Sequence, residues 1–475
     1  MEFGPLLKSV LKENHIYVSH FAEDIGYNRV AIYSVFNGEK QLPEKVFRLI
    51  LEKYDFSAAQ QAQLIRAFHN DSMSEEKNKL MKFNLEQLEA LGKKPTLLPI
   101  SLRNIDVSAG GIFLAGSSDY YSALSAFLEN EAQEKETKIY TNYSFFDLQA
   151  DDIVYSFILG KNSRDFLIHH TVRFDDAISA KEKLRSIYGC IKFAKEGHET
   201  NVASIEVSDY AFSTYFIGKR SVLLYDDRND FGFLTTEEAT VKAYIFSAVK
   251  HEAAETSLTR FTKSPFELKS ILQPNQSQML SYFSFFFPLC LFSPKDMLDN
   301  TLKKEVPNRE MILSACWNHL KYCQETDQPG MFTQLGTEKF FESGKTFEAS
   351  NLILKKVSFE DRKRAFEILK DHFQKPNCKF TMLNSNLFKI DSDIEIEVYE
   401  GGVIFNFPVN FREDGDYIGA GLIFTTDQEI CDLFKEFREY LIANGYALSA
   451  EFVENFLDNL ISQCDAAIEE QSELS

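Results

Sequence analysis

No run in this chain is both long and apolar enough to cross a bilayer. The most apolar stretch, MLSYFSFFFPLCLF from Met279 to Phe292, is only fourteen residues long and contains Pro288, well short of the roughly 20 residues that a spanning helix needs. It reads as a buried core helix or a dimer contact, so no membrane partner is expected. No secretory segment is expected either, because the sequence opens directly on an amphipathic helix. Disulfide scaffolding is also excluded: the seven cysteines are scattered, odd in number and include no C-x-x-C. From these absences a cytoplasmic protein is expected. A basic excess is missing too. Lys and Arg total 51 against 71 Asp and Glu, a formal net charge of −20. Such a body repels phosphate, and non-specific nucleic-acid affinity should be poor. Tryptophan is nearly absent, with one residue against 44 Phe and 20 Tyr.

What is present begins at residues 18 to 42, VSHFAEDIGYNRVAIYSVFNGEKQL. Ala22 is small enough to let two helices cross closely. Gly26, four residues later, permits the positive φ of a tight turn. Ile32 and Phe36 return apolar side chains to a core from a second helix, and Asn37-Gly38 supplies its stop. Leu6, Leu7, Val10 and Leu11 recur at helical spacing before this stretch. Pro43 opens another helix with Val46, Phe47, Ile50 and Leu51 on its apolar face. Ala58 to Phe68 supplies a fifth.

Five short helices in this order resemble the DNA-binding domain of phage-repressor and Cro-type helix-turn-helix transcriptional regulators. The likeness covers about the first sixth of the chain. It implies a recognition helix from about Asn28 to Phe36, with Asn28, Arg29 and Val30 facing base edges. Arg29 would make a bidentate contact to guanine, whose O6/N7 pair matches its planar fork. Tyr33 and Ser34 would reach sugar, phosphate or base, and Lys40 the backbone or groove. The chain departs from the pattern at Val18, where a polar residue often clamps a phosphate; Ser19 would substitute. Residues 1 to 70 carry eight basic and eight acidic residues, so this headpiece is neutral and the acidic excess lies beyond it.

After a headpiece at 1–71, residues 72–100 read as a charged helical linker. Strand-like and helical runs alternate over 101–255, including GGIFLAGSSDYYSALSAFLEN (Gly110 to Asn130) and the hairpin-like YFIGKRSVLLYDD (Tyr215 to Asp227), which indicates an α/β domain. Residues 256–345 read as mostly helical. Over 346–475 an α+β domain is expected, with an antiparallel hairpin at Asp393 to Asn410, a strand at Gly419 to Thr426, and helices at about 427–443 and 449–463. DFLIHHTVRFDD (Asp165 to Asp176), with the hairpin that follows it, is loosely similar to a group of large, uncharacterised bacterial regulators. That resemblance implies no ligand.

GFLTTEEATVKA (Gly232 to Ala243) and LIFTTDQEICDLF (Leu422 to Phe434) echo each other. Thr235 with Glu238, and Thr425 with Gln428, both fit a capping box. Either two related α/β modules pair around one ligand cleft, or strand-to-helix junctions have converged on threonine caps. The paired hairpins resemble phospholipase-D-like folds, whose chemistry needs His-x-Lys and an Asp five residues after the Lys in each half. His319-Leu320-Lys321 comes near, but Asp327 is one residue too far and there is no second copy. Cys316, His319 and Cys323 share one helix face, and three ligands on one rigid helix do not surround a tetrahedral zinc. His169-His170 sits in a strand, with one side chain expected in the core and the other exposed. Gly344-Lys345-Thr346 resembles a P-loop end, but Lys339 stands where the first glycine belongs. Gly116-Ser117-Ser118-Asp119 opens a helix whose N-terminus and two hydroxyls could hold a phosphate or carboxylate, but capping alone explains the hydroxyls more simply.

The expected fold is multidomain: an all-α, five-helix headpiece, then α/β domains, duplicated or not, with a helical middle segment. The expected function is sequence-specific regulation of transcription by a homodimer. Double-stranded DNA would be its partner, and an unknown small-molecule or peptide effector would act on the C-terminal part. No cofactor, metal or enzymatic activity is implied. The competing readings are a degenerate α/β enzyme, or a protein-binding module, carrying a helix-turn-helix.

Overall fold

The computed structural model describes residues 3–72, 75–91, 102, 104–107, 110–134, 137–143, 148–158, 166–173, 178–195, 200–205, 213–252, 256–257, 259–262, 279–306, 308–311, 313–314, 317, 329–345, 354–375, 378–390, 393–410 and 417–474. The chain divides into two units. One comprises Met1–Leu85 with Glu436–Leu448, the other Glu86–Lys435 with Ser449–Ser475.

The first unit opens with α1 (Phe3–Glu13), α2 (Val18–Asp24), α3 (Arg29–Phe36), α4 (Glu44–Lys53) and α5 (Ala58–Ser72). Their apolar stripes meet in one core that includes Leu7, Val10, Leu11, Phe21, Ala22, Ile32, Phe36, Phe47, Ile50 and Leu64. Phe47 stacks on Phe68 at 4.1 Å, and Phe3 stands edge-on to both, at 5.4 and 5.2 Å. Such aromatic pairs add roughly 0.5–1.5 kcal/mol each beyond area burial. The α5 helix runs past the expected end at Phe68, and there Asp71 Oδ2 accepts a 2.6 Å hydrogen bond from the Phe3 amide. This carboxylate satisfies an orphan N–H at the start of α1 and complements its dipole. Pro43 sits at the cap position, one residue before α4.

The charged segment expected as a linker contains α6 (Glu75–Leu91). It is packed, with Met81 and Leu85 buried. The return segment 436–448 closes this unit. Lys77 Nζ meets Glu436 Oε1 at 2.5 Å. Arg66 donates to the carbonyls of Ala443 (3.3 Å) and Asn444 (3.1 Å), which caps the helix Gln428–Ala443.

The second unit carries two mixed sheets. The first is built from β1 (Gly111–Ala115), β2 (Thr137–Thr141), β3 (Phe166–Arg173), β4 (Thr200–Ile205), β5 (Thr214–Ile217), β6 (Val222–Asp226), β7 (Phe231–Thr235) and β8 (Thr256–Ser257), in the order β1-β7-β6-β5-β2-β3-β4-β8. The second is built from β9 (Thr259–Thr262), β10 (Met279–Ser284), β11 (Gly330–Thr333), β12 (Phe380–Leu383), β13 (Glu395–Tyr399), β14 (Gly402–Asn410) and β15 (Tyr417–Thr425), in the order β12-β11-β10-β13-β14-β15-β9. Apart from β8, the wiring is the same. Three parallel strands lie beside a three-strand antiparallel meander, and the first strand in sequence pairs antiparallel with the last of the meander.

Parallel pairing demands crossovers. In the first sheet these are α8 (Leu148–Ile158) and α9 (Ala180–Lys195), while α7 (Ser117–Glu131) follows β1 and α10 (Glu238–Glu252) follows β7. One cluster joins Leu124, Phe127, Ile153 and Val154 of α7 and α8 to Leu114, Ile139, Ile168, Phe216, Leu223 and Leu234. Another joins Val241 and Ala248 of α10 to Tyr140, Ile217, Val222 and Leu224. Cover on both faces explains why His169 and His170 are both buried; the expectation that one would be exposed assumed a half-open sheet.

Three further expectations need correction. The described residues of the middle segment 256–345 are helical only in part. They hold β10 and β11 of the second sheet beside the helices Leu289–Phe292, Lys295–Thr301 and Gln334–Ser343. The run from Met279 to Phe292 is not one core helix or a dimer contact: it starts as the central strand β10, Met279–Ser284, and ends in the four-residue helix, and Phe283, Phe285, Phe286 and Phe287 are buried within the chain itself. Phe287 stacks on Phe340 at 4.5 Å and meets Phe366 edge-on at 5.5 Å. The two threonines do not form capping boxes. Thr235 Oγ1 accepts from the amide of Glu237, and Thr425 Oγ1 from that of Asp427, both at 3.1 Å. Each closes a turn before the helix, and in the second half Asp427 caps it by accepting from Ile430 N at 3.1 Å.

The hairpin expected at Asp393 to Asn410 is β13 and β14. The last helix, Ala450–Leu474, runs beyond its expected end. Asp465 and Asp458 pair it with Lys363 (2.6 Å) and Lys370 (2.5 Å) of the helix Phe359–Phe373.

Candidate nucleic-acid interface

The turn between α2 and α3 is set by Gly26, at φ +70°, a conformation that a side chain would strain. Ala22, nearly fully buried, and Ile32, Val35 and Phe36 hold the pair on the core. Gly38, at φ +74°, ends α3, and its amide bonds to the carbonyl of Val35 at 3.0 Å. Asn37 stays right-handed, so of the two expected stop residues only the glycine adopts the left-handed conformation.

The residues expected to face DNA fall into distinct roles. Asn28 caps α3, its Oδ1 accepting from the amide of Ala31 at 2.7 Å. Asn at this position is worth about 1 kcal/mol to a helix. Its carboxamide oxygen is therefore committed to the fold. Arg29, the first residue of α3, is exposed, and its guanidinium lies 5.8 Å from the centre of the Tyr33 ring one turn on. Val30 is 75% exposed and Tyr33 is also exposed. Ser34 is half-buried, and its carbonyl accepts from the amides of Glu39 and Lys40 at 2.9 and 3.3 Å. Lys40 Nζ lies 5.9 Å from the Tyr27 ring, in the turn before α3. Ser19 is exposed on α2.

Arg29, Val30 and Tyr33 thus share the outer surface of one helix. Val18 is half-buried against the headpiece core, which accounts for its departure from the polar pattern. Two residues that the sequence reading did not single out, Tyr17 and His20, lie beside this surface on the same stretch of chain. Both are exposed at the start of α2, with ring centres 6.0 Å apart, as their i, i+3 spacing allows.

Behind α2, Asp24 Oδ2 accepts from Tyr54 Oη at 2.6 Å and Oδ1 from Lys53 Nζ at 3.0 Å. These bonds hold its carboxyl below the ordinary carboxylate range, Tyr54 contributing most. The acidic charge nearest the end of α2 is therefore partnered.

The other sites weighed for chemistry do not assemble. Gly344 is a left-handed C-cap at the end of a helix, whereas a phosphate-binding loop needs a helix to begin there. At the start of α7, Gly116 is the cap residue and no side chain caps the helix, so the expected hydroxyl capping is not formed. Asp230 and Asp119 crowd this end, their carbonyl and carboxylate accepting from the amides of Gly116 (2.9 Å) and Ala115 (3.3 Å). Lys183 is buried against Asp427 at 2.7 Å and Glu429 at 3.3 Å. Burial opposes its charge, but the Asp427 carboxylate overrides this and raises it above the ordinary lysine value. Cys316, His319, Cys323 and Asp327 lie outside the described residues.

No family model matches the chain, and no curated protein matches it. Solved structures similar to it include TrmBL2, an archaeal chromatin protein described as showing a novel mode of DNA binding, at 14% identity over 47% of this chain and 87% of that one, with a TM-score of 0.23. The phosphatidylserine synthase of Haemophilus influenzae Rd KW20 is similar at 10% identity over 83% of this chain and 98% of that one, with a TM-score of 0.24. Scores this low give neither likeness any weight in deciding what this chain does.

Proposed function

We propose that the protein is a sequence-specific, DNA-binding transcriptional regulator, with α2 and α3 acting as a helix-turn-helix of the phage-repressor type. The observation that supports this best is the outer face of α3. It presents Arg29, Val30 and Tyr33 together on a short helix fixed by an Asn28 cap, a positive-φ turn and a buried stripe on the opposite side. A helix of this size fits the major groove, where each base pair shows a distinct pattern. The protein acts as a homodimer, because palindromic readout needs two headpieces about one DNA turn apart. The acidic C-terminal body serves as sensor of a small-molecule or peptide effector, and no enzymatic step is assigned to it.

Selection of genomic fragments by the purified full-length protein tests the reading. A defined operator is expected. On that operator Arg29→Ala should weaken binding about five- to 150-fold per half-site at fixed salt, the worth of one bidentate base contact. Failure to select any fragment would sink the proposal and favour a protein-binding role for the headpiece.

A further inference from the structure

Strand β1 ends the first sheet, and its outer edge carries none of the usual guards. It pairs with β7 on one side only, in the register Gly111↔Thr235 to Ala115↔Phe231. Just beyond its two ends the Gly116 amide donates to the Asp230 carbonyl and the Thr236 amide to the Gly110 carbonyl. Antiparallel bonding alternates, so residues 110, 112, 114 and 116 bond to β7, and the backbone groups of Gly111, Phe113 and Ala115 point outward. The Ala115 amide meets Asp119 Oδ2 at 3.3 Å. Among the described residues, the amide and carbonyl of Phe113 meet nothing. The Phe113 ring is 84% exposed. Phe233, with its ring centre 5.2 Å away, and the half-exposed Phe231 share its face of the sheet. Natural edges are blunted by charge, proline or a bulge. From Val107 to Ser118 the chain has no charged residue and no proline, and β1 pairs without a bulge. The second sheet treats the equivalent strand differently. There β9 takes the place that β1 has in the first sheet, and it lies beside β4 as well as β15.

We propose that β1 is the dimer interface: a second copy of this chain adds its own β1 antiparallel, joining the two first sheets edge to edge. This rests on the homodimer proposed above and names the surface that makes it. Two arguments select a second copy over another polypeptide. The first is self-complementarity. A twofold axis through the centre of this five-residue strand sets Phe113 of one copy opposite Phe113 of the other. Each Phe113 amide then donates to the other copy's Phe113 carbonyl, the reciprocal pair that antiparallel bonding requires. The two rings become direct cross-strand neighbours on one face, an arrangement that stabilises sheets. The second argument is charge. Two copies bring two formal charges of −20 together, and their approach is least opposed where the surface carries no charge. The run around β1 meets that condition.

Sedimentation of the full-length protein reads the interface. Wild type should be a dimer at micromolar concentration. Phe113→Glu and Phe113→Lys each set like charges directly opposite one another. Each should raise the dissociation constant roughly tenfold or more, as loss of a central aromatic anchor does. Thermal melting at a concentration where wild type is monomeric should be unchanged, because the ring is exposed in the single chain. Mixing the two variants should restore the dimer, since opposite charges then face each other; a face-to-face pair at this position is what makes that rescue work. A dimer that survives both substitutions would place the interface elsewhere and leave the homodimer standing. Monomeric variants whose mixture stays monomeric would overturn the self-paired register. A monomeric wild type would overturn this interface and the homodimer together.

Discussion

Burial fixes the protonation of His170. The ring is fully enclosed between β3 and α9, with Nδ1 2.9 Å from Cys190 Sγ and the Phe193 ring edge-on at 5.6 Å. Desolvation disfavours the imidazolium and lowers its pKa to about 4. An unfolded chain would protonate this side chain near 6.5. The folded value is the lower of the two, so the associated stability is fully present above about pH 6.5 and is lost as pH falls toward 4. A gap of about 2.5 units corresponds to roughly 3 kcal/mol. His170→Gln should therefore flatten the fall in unfolding free energy of the second unit between these limits. Nuclear magnetic resonance titration of wild type should place the His170 midpoint near 4, which checks the idea even if the variant does not fold. A midpoint near 6.5 would refute it. The sequence placed this histidine on a strand, but not its burial, which depends on helices covering both faces of the sheet.

At the scale of elements, the headpiece is held by a crossing that turns on one glycine. A Cβ built on Gly4 of α1 would lie 2.0 Å from the carbonyl oxygen of Val35 and 2.9 Å from its carbon. The first turn of α1 therefore touches the backbone of the last turn of α3. Gly4→Ala should push the two apart at a cost of about 1–3 kcal/mol, lowering the melting temperature of the headpiece transition and weakening operator binding with it. An unchanged melting curve would show that the crossing is looser than the structure has it. Most of this unit was readable from sequence because its signals are local. Ala22, Gly26, Ile32 and Gly38 act within α2, α3 and their turn. Gly4 carries no such local signature, since its partner is distant in the chain. The same limit hid the return segment 436–448, whose place in the headpiece depends on Arg66 and Lys77 reaching residues from the far end of the sequence. Strand β10 was misread for another reason. A continuous apolar run buried on both sides shows no alternation, so period alone does not separate strand from helix.

Taken as a whole molecule, the chain separates its charge from its candidate reading surface. Residues 1 to 70 balance their charges, and the formal −20 lies beyond them. The repeated wiring of the two sheets surfaced in the sequence only as the two Thr-Thr turns, because strand order is set by long-range pairing. The charge distribution, by contrast, is plain in the sequence and has a direct consequence. Non-specific binding to duplex DNA draws its free energy from phosphate neutralisation and counterion release. A neutral headpiece, whose basic residues in and just after α3 are Arg29 and Lys40, has few such contacts to offer, and the formal charge of −20 on the chain does not favour phosphate. The dependence of log K on log salt at the operator should therefore be shallow, with a slope of about −4 or less steep for two headpieces. Regulators with six to ten phosphate contacts would show slopes of about −5 to −9. Binding to a random duplex at about 0.15 M salt should be weaker than the usual micromolar to 0.1 mM range. Titrating one labelled operator and one scrambled duplex across a salt series measures both quantities. A slope near −9, or micromolar affinity for the scrambled duplex, would mean that the protein gathers far more phosphates than α3 and its surroundings supply. The DNA-binding surface would then have to be sought elsewhere on the chain.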